Sequence, residues 1–364
     1  MKTPETLVGL FGVQHPHAER HLRTLINLPE VDGIVLWDEN AAAMGKMHSR
    51  YGQKVRANYT DLDLALGRGD LTFVIAGIRH DLSTELMLRI VRAGVPLLAE
   101  KPGGRNADEL LAVVKAAESC RCPFGVLYTN RYHPVVRKAR ELFAAGILGP
   151  LMLADMRMFT SQVQFREPGS WIHQRCSSGG GVLTWLGCHY LDLMSYIPND
   201  TIEWVQAGIA LRGSEQIDVE DVAVLTVQFQ SGAIGSFSCG YTSRLAGSGY
   251  EGSRINNFFA FHGRDGMISR PELWTLHAES GHQDWADQPL REFVYEKSKS
   301  DSYGGSFGEA FVRDFLQSIR DGTSPPVTGR DALDVFQVIK AAYESNETGM
   351  RVRVRAAAPD SGSP

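Results

Sequence analysis

A lysine held between a glutamate and a proline is the residue of this sequence best placed to do chemistry. The segment AEKPGG carries Glu100, Lys101 and Pro102 at the end of a short apolar run. Pro102 removes a backbone donor and disfavours a helical conformation at the residue before it, so Lys101 is expected to project from a strand end in a fixed direction. A lysine in that position suits acid/base catalysis or stabilisation of a developing charge. The alternative is a surface lysine at a turn.

Three histidines near the amino terminus raise the question of a metal site. The segment QHPHAERH contains His15, His17 and His21, and the last two would share one face of a helix. Zinc sites combine imidazole with thiolate or carboxylate ligands, and we see no such group placed to complete a set. We therefore expect histidines of a loop and a helix end, and no metal ion.

The first apolar run leads into part of a dinucleotide-binding turn. In LVGLFGVQHPHAERHL, Gly12 takes the first place of Gly-x-Gly-x-x-Gly, but Gln14 and His17 occupy the second and third places. The helix that follows still offers N–H groups and a partial positive charge to a phosphate, and Gln14 or His15 can add hydrogen bonds. Asp38, 26 residues after Gly12, suits the acidic residue that binds adenosine ribose hydroxyls. We expect an altered dinucleotide site rather than none.

Short apolar runs that alternate with helical segments must position these residues. The runs are LVGLFG, GIVLWD, LTFVIAG, VPLLAE and PFGVLY, and helical periodicity lies between them. This alternation predicts a parallel sheet covered on both faces, and hence a doubly wound α/β Rossmann domain over residues 1–125. Ligands bind at the carboxyl ends of such strands, where the segments IAGIRHD and AEKPGG begin their loops.

The pattern changes after residue 125. The longer strands IEWVQAGIALRG, VAVLTVQFQ, AIGSFSCGY and NNFFAFHG follow one another without helices between them. They predict an α+β domain with a largely antiparallel sheet over residues 126–355, and a disordered tail over residues 356–364. The open face of that sheet predicts a homo-oligomer, either a dimer or a tetramer.

Composition excludes several kinds of partner. The 364 residues carry 37 basic and 42 acidic side chains, a formal charge of −5, without a long run of one sign. We therefore expect neither a nucleic acid nor a membrane as partner, but a small molecule. The absence of a signal-peptide pattern and of a stretch of roughly 20 apolar residues predicts a cytoplasmic protein. The five cysteines lack paired spacing and are expected to be free thiols.

Three segments together carry a resemblance to a known family. AGVPLLAEKP is followed by NRYHPVVRKARELFAAGILGPL and then by GGGVLTWLGCHYLDLMSYI. In motif order and spacing, up to about residue 355, the chain resembles the glucose-fructose oxidoreductase and inositol dehydrogenase (Gfo/Idh/MocA) family. The resemblance implies an NAD(P)-dependent oxidoreductase that acts on a hydroxyl group of a sugar, a polyol or a sugar acid. It also implies a Rossmann domain followed by an α/β substrate domain.

The resemblance implies roles for individual residues. Lys101 and His189 would be the catalytic pair, and Asp192 matches the final aspartate of G-x-H-x-x-D. The pattern predicts a helix from about residue 181 to 197, in which His189 and Asp192 share one face. The expected cofactor contacts are Gly12, Gln14, His15, Asp38, Ile78, Arg79, Glu100, Lys101, Pro102 and Asn130. The candidate substrate contacts are Arg131, Trp171, Arg175, Trp185 and Asp192. Because Glu39 and Asn40 follow Asp38, and no arginine stands there, we expect NAD rather than NADP.

Trp185 departs from the family pattern. Many dehydrogenases of the family carry an aspartate four residues before the histidine, where it can orient and polarise the imidazole. An indole has only a donor and cannot accept that hydrogen bond. We therefore expect the chemistry to depend more on Lys101 than on His189. Two roles remain open for Trp185, which would either stack on a sugar ring or fill the core.

Two other functions remain open beside the dehydrogenase. A lyase or glycosidase would oxidise, eliminate and re-reduce its substrate on a retained dinucleotide, which would co-purify and would not be consumed. A non-enzymatic nucleotide-binding regulator would keep the fold, and the altered glycine turn favours it. The retention of Lys101 and His189 argues against a regulator, so the NAD-dependent dehydrogenase is the leading hypothesis.

Overall fold

The structure is a computed structural model that describes residues 5–165, 167, 169–243 and 256–355. The chain divides into two units, the first made of the residues up to Tyr132 with Ser298–Ala332, the second of His133–Lys297 with the residues from Leu333 onward. The division predicted at residue 125 therefore comes too early. The predicted second domain is also interrupted, because Ser298–Ala332 belongs to the first unit. The predicted tail, residues 356–364, lies outside the described residues.

Ten α-helices occur among the described residues. They are α1 (Ala18–Asn27), α2 (Ala41–Tyr51), α3 (Leu62–Leu66), α4 (His80–Arg92), α5 (Ala107–Ser119), α6 (Pro134–Ala144), α7 (Arg175–Ser178), α8 (Cys188–Tyr196), α9 (Gly305–Asp321) and α10 (Gly329–Thr348). Several of these helices begin at a residue whose side chain accepts hydrogen bonds from N–H groups of the first turn. Asn106, for example, precedes α5 and its side chain accepts the N–H groups of Asp108 and Glu109. None of these helices has both the length and the apolar character needed to cross a membrane.

Six strands of the described first unit form a parallel sheet. They are β1 (Leu7–Phe11), β2 (Gly33–Trp37), β3 (Val55–Tyr59), β4 (Leu71–Ala76), β5 (Leu97–Ala99) and β6 (Phe124–Val126). Their order is β3-β2-β1-β4-β5-β6, the order of a dinucleotide-binding Rossmann domain. Every residue of β1 and of β2 is buried, as expected for strands covered on both faces. The predicted Rossmann fold is confirmed.

The segment Ser298–Ala332 completes the first unit. Helix α9 packs against α1. Beyond α9, the N–H of Val126 donates to the carbonyl of Val327 at 3.2 Å, and Gly125 forms a bridge with Thr328. The returning chain therefore pairs with β6, the edge strand of the parallel sheet.

Nine strands of the described second unit form a mostly antiparallel sheet. They are β7 (Leu151–Ser161), β8 (Ile202–Ala210), β9 (Val222–Phe229), β10 (Ile234–Ser243), β11 (Asn256–Gly263), β12 (Gly266–Glu272), β13 (Thr275–Ser280), β14 (Leu290–Val294) and β15 (Val352–Arg353). Their order is β14-β13-β12-β11-β7-β10-β9-β8-β15, with β7 and β10 parallel to each other. Helices α6 and α8 pack against the sheet, whereas Val224 and Ile234 are exposed. The predicted α+β unit with one open sheet face is confirmed.

Candidate functional site

The turn after β1 requires glycine at its first position. Gly12 has a φ of +94°, and a Cβ atom there would lie 2.0 Å from the carbonyl oxygen of Gly77. The N–H of Gly12 donates to the carbonyl of Trp37 at 2.8 Å, and that of Gly77 donates to the carbonyl of Phe11 at 2.9 Å. The carboxyl ends of β1, β2 and β4 therefore meet at Gly12, where the dinucleotide turn was predicted.

Backbone donors of this turn are held by acceptors of the protein. The N–H of His15 donates to the carbonyl of Gly12 at 3.3 Å, and the N–H of His17 donates to Nδ1 of His15 at 3.3 Å. The N–H of Gln14 donates to Oδ2 of Asp38 at 3.2 Å. These distances are at or beyond the long end of the usual range for such bonds. Exchange of these bonds for bonds to phosphate oxygens would therefore cost little.

Gln14 contacts the residue that was predicted to bind ribose. Its Nε2 donates to Oδ1 of Asp38 at 2.8 Å, and the N–H of Asn40 donates to the same oxygen at 2.9 Å. Asn40 Nδ2 in turn donates to Oε1 of Gln14 at 3.1 Å. Asp38 is buried at the carboxyl end of β2. The side chain in the place of the second glycine thus covers the acidic acceptor, a contact that the sequence analysis missed.

Glu100 is the centre of a buried histidine cluster. Its Oε1 accepts hydrogen bonds from Nδ1 of His17 at 2.8 Å and from Nε2 of His21 at 2.6 Å. Burial lowers the pKa values of His15 and His17, that of His15 more strongly. Burial opposes ionisation of Glu100, but His17 and His21 hold the pKa of this carboxyl well below its ordinary value. The ring of Tyr303 packs against His17 and His21 with centroids 5.0 and 4.4 Å apart.

Lys101 is enclosed by protein. It directly follows Glu100 after β5, its side chain is 1% exposed, and its peptide bond to Pro102 is cis. The predicted position at a strand end is therefore confirmed, and the alternative of a surface lysine is excluded. A buried titratable group at the carboxyl end of a parallel strand is a candidate for a functional role.

A pocket lies at the carboxyl ends of β4 and β5. Ile78, His80, Ser83, Glu100, Gly103 and Gly104 are among the residues that line it. Two predicted cofactor contacts, Ile78 and Glu100, are thus brought together. A third, Arg79, is exposed and forms an ion pair with Asp81 at 2.9 Å. Asn130 lies in the turn Thr129–Tyr132, which follows β6.

Arg131 belongs to the first unit and forms an ion pair there. Its Nη2 lies 3.1 Å from Oδ1 of Asp331, on the returning segment. Burial opposes ionisation of Asp331, but Arg131 and Thr328 keep the pKa of this carboxyl below its ordinary value. This pair anchors the returning segment, and the substrate role of Arg131 stays a prediction.

His189 and Asp192 lie in α8 of the second unit, and both are buried. Their spacing of three residues places them on one face of the helix, as predicted. The helix predicted from about residue 181 to 197 starts instead with a π-helical turn, Leu183–Gly187. Such turns often occur at functional sites because they change the direction in which side chains point.

Trp185 lies in the π-helical turn and is 3% exposed. Its ring meets the ring of Trp171 edge to face, with centroids 5.7 Å apart and an angle of 90° between planes. Such pairs stabilise by burial and by their complementary charge distributions. The contact supports the core-filling role of Trp185, and stacking on a sugar stays a prediction for both tryptophans.

Glu220 holds the start of this helical segment, and the sequence analysis missed it. Its Oε1 accepts the N–H groups of Gly181 at 2.8 Å and Leu183 at 3.2 Å, and the hydroxyl of Tyr343 at 2.9 Å. Burial raises the pKa of Glu220. Arg175 lies 3.8 Å from the other carboxylate oxygen and is half exposed, so its substrate role stays a prediction. The sequence signal for this role was the acidic pair Glu220 and Asp221, which directly precedes the apolar strand β9.

A family model and several curated relatives match this chain. Residues 136–269 match the model of the GFO/IDH/MocA C-terminal domain. The 1,5-anhydro-D-fructose reductase of Ensifer adhaerens is 27% identical over 81% of this chain and 83% of its own length. The inositol 2-dehydrogenase of Rhizobium meliloti (strain 1021) is 23% identical over 86% of this chain and 88% of its own length.

The fold also matches solved structures. Levoglucosan dehydrogenase in complex with NADH and levoglucosan superposes with a TM-score of 0.84 at 20% identity, over 96% of this chain and 99% of that one. At this identity the likeness concerns the fold, and it covers both units. Together with the family model and the relatives, it confirms the resemblance carried by the E-K-P, N-R-Y-H-P and G-x-H-x-x-D motifs. The chain thus resembles the Gfo/Idh/MocA oxidoreductases, and its residues 136–269 match their C-terminal domain.

Proposed function

We propose that this protein is an NAD-dependent oxidoreductase that acts on a hydroxyl group of a sugar, a polyol or a sugar acid. The observation that carries the proposal is the enclosed Lys101 at the end of β5, in the same Rossmann unit as the Gly12 turn. Relatives named as a 1,5-anhydro-D-fructose reductase and an inositol 2-dehydrogenase support this class of substrate.

The first unit offers suitable groups for a nicotinamide dinucleotide. A Cβ atom at Gly12 would fill the turn, so the backbone there is open to close approach. Weakly held N–H groups at Gln14 and His17 suit phosphate oxygens, and the buried carboxylate of Asp38 suits ribose hydroxyls. Ile78 and Glu100 line the pocket beside β4. When bound, the dinucleotide would supply the hydride acceptor or donor.

Lys101 and His189 divide the proton chemistry in this proposal. Nζ of Lys101, in its neutral form, takes the hydroxyl proton during oxidation and returns it during reduction. For the second unit we propose that His189 stabilises negative charge on a substrate oxygen and that Asp192, on the same face of α8, binds a substrate hydroxyl.

A substrate screen tests the proposed function. Sugars, polyols and sugar acids are incubated with the protein and NAD⁺, and the absorbance of NADH is followed. We expect turnover with at least one such compound, and turnover lower by about 10²–10⁴-fold with the Lys101→Met variant. Bound dinucleotide that co-purifies and is not consumed during turnover would instead identify the lyase or glycosidase. Binding without any turnover would favour the regulator.

We predict that the protein binds NADH more tightly than NADPH, by about 10-fold or more, which is about 1.4 kcal/mol. The reason is that the carboxylate of Asp38 would repel a 2′-phosphate, and the exposed Glu39 adds a second negative charge. Calorimetric titration with each reduced cofactor measures the ratio. The Asp38→Ser variant should reduce the discrimination. Tighter binding of NADPH by the wild type would show that Asp38 does not face the adenosine ribose.

We predict that Gln14→Gly keeps or improves dinucleotide affinity. The change frees Oδ1 of Asp38 from the Gln14 amide and also restores room for close backbone approach. Gln14 is exposed, so its loss should leave the free energy of unfolding nearly unchanged. Fluorescence titration with NADH measures the affinity. The Gln14→Ala variant is the matched control, because it frees Asp38 but retains a Cβ atom. A lower affinity of Gln14→Gly than of the wild type would show that the Gln14 side chain itself helps to bind the cofactor.

We also propose a homo-oligomer, a dimer or a tetramer, formed through the open face of the second sheet. Leu153 and Ile234 are register partners on β7 and β10, and both are exposed. Val224 on β9 lies on the same face. An apolar sheet face of this kind is a natural contact surface for a second copy.

A further inference from the structure

Folding gives the amino-terminal histidines the carboxylate that the nearby sequence did not supply. One nitrogen atom each of His15 and His17 and one carboxylate oxygen of Glu100 all lie within 4.8 Å of one another. Glu100 is 83 residues away from His17 in the chain, so local sequence spacing could not indicate this arrangement. The cluster lies entirely within the first unit.

The donor atoms of the cluster suit a cation. His15 and His17 contribute imidazole nitrogens and Glu100 contributes a carboxylate oxygen, all within 4.8 Å of one another. Imidazole and carboxylate are ligand types that zinc binds in proteins.

One carboxylate oxygen of Glu100 accepts no hydrogen bond from the described residues. Oε1 accepts from His17 and His21, whereas Oε2 is buried and has no hydrogen-bond partner among the described residues. A buried carboxylate oxygen without a partner is costly, and coordination of a cation would remove that cost. The hydrogen bond from His21 at 2.6 Å would remain and orient the carboxylate, as the outer partners of metal ligands do.

We propose that His15, His17 and Glu100 bind one divalent transition-metal ion of the Zn²⁺ type. Two imidazoles and one carboxylate form a ligand set that zinc uses where a fourth position stays open to water or a substrate oxygen. Binding exchanges the hydrogen bond between His17 and Glu100 for two bonds to the metal, and neutral His17 keeps its proton on the ring nitrogen that does not bind. The inference holds whether or not the chain oxidises a sugar.

Lys101 acts against this ion. In its protonated form Lys101 carries a positive charge, which contributes to the lowered pKa values of His15 and His17 after the larger effect of burial. A cation beside it is repelled, and a dissociation constant in the micromolar rather than the nanomolar range is expected. The titration therefore has to extend well above the protein concentration.

Titration with Co²⁺ alone tests the site. The full chain, without an affinity tag and stripped with a chelator, is titrated while the visible absorbance of bound Co²⁺ is followed. We expect saturation at about one ion per chain with the intense bands of a low-coordinate site, and displacement by Zn²⁺. Elemental analysis after gel filtration gives an independent stoichiometry.

The variant His17→Ala should weaken Co²⁺ binding at least about 10-fold, because loss of a ligand exceeds the usual effect of losing an outer partner. His17 is only partly buried, so the variant is expected to fold, which circular dichroism checks. His277→Ala is the matched control, since His277 forms an exposed pair with Glu292 at 3.2 Å and should leave binding unchanged.

Two results would overturn the proposal. One is a wild type that binds no Co²⁺, which would show that the cluster is held by hydrogen bonds alone. The other is a folded His17→Ala variant that binds Co²⁺ as the wild type does. Should His17→Ala fail to fold, Glu100→Gln carries the same expectation, because it keeps the side-chain volume but removes the charge.

Discussion

Replacement of Lys101 by alanine is expected to lower the turnover number by about 10²–10⁴-fold, the usual contribution of a positioned acid/base group. His189→Ala should cost less, because Trp185 cannot accept a hydrogen bond from the imidazole as an aspartate would. Both variants should retain the fold and bind NADH nearly as the wild type does. Steady-state kinetics with the substrate found in the screen, together with NADH titration, measure the effects.

Two further variants distinguish the loss of the catalytic amine from the loss of buried side-chain volume. Lys101→Met keeps most of the buried aliphatic volume, so a loss of turnover equal to that of Lys101→Ala would be due to the amine. Lys54→Met is the matched control, since Lys54 is a partly buried lysine of the same unit and donates to the carbonyl of Leu28 at 2.6 Å. Near wild-type turnover in Lys101→Ala would reject the catalytic role. A larger loss in His189→Ala would show that another group replaces the missing aspartate.

Gly181→Ala is expected to destabilise the second unit by about 1–3 kcal/mol or more, the cost of overpacking a rigid site. A Cβ atom at Gly181 would lie 2.0 Å from the carbonyl oxygen of Glu220 and 2.9 Å from its backbone nitrogen. Both are backbone atoms of the segment just before β9, so the clash cannot be relieved by a rotamer change. Urea denaturation followed by tryptophan fluorescence measures the free energy of unfolding.

Gly208→Ala is the matched control for this prediction. Gly208 lies exposed in β8 of the same unit, and a Cβ atom there would meet nothing within 4 Å. Its substitution should change the free energy of unfolding by less than about 0.5 kcal/mol. Equal stabilities of the two variants would contradict the close approach of Gly181 to Glu220.

The sequence predicted five of the six strands of the described parallel sheet, because β1, β2, β4, β5 and β6 are short apolar runs between helical segments. It missed β3, VRANY, which has a single buried residue, Val55, and alternates apolar with polar side chains. As an edge strand, β3 is covered less than the central strands and carries a weaker hydrophobic signal. The strands β12, β13 and β14 were not predicted either, because their polar and charged residues weaken the apolar pattern that indicates a strand.

The sequence predicted where several site residues lie, but not the contacts between them. The motifs placed Lys101 at a strand end, and His189 and Asp192 on one helix face, because such positions follow from local periodicity. The contacts of Glu100 with His17 and of Glu220 with Gly181 join segments far apart in the chain. Such pairings depend on how the strands are ordered in the sheet, which a single sequence does not encode locally.

The return of the chain to the first unit affects how the protein folds while it is being made. A ribosome releases the chain from its amino terminus, so β6 emerges long before Thr328, its later neighbour. Until Ala332 has emerged, the edge of β6 and the surface of α1 that α9 covers stay open to solvent. Meanwhile the strands of the second sheet are already being released. Uncovered strand edges and apolar surfaces are where nascent chains aggregate, so chaperones would be most needed during this interval. A gene fragment ending at residue 132 accordingly encodes an incomplete unit.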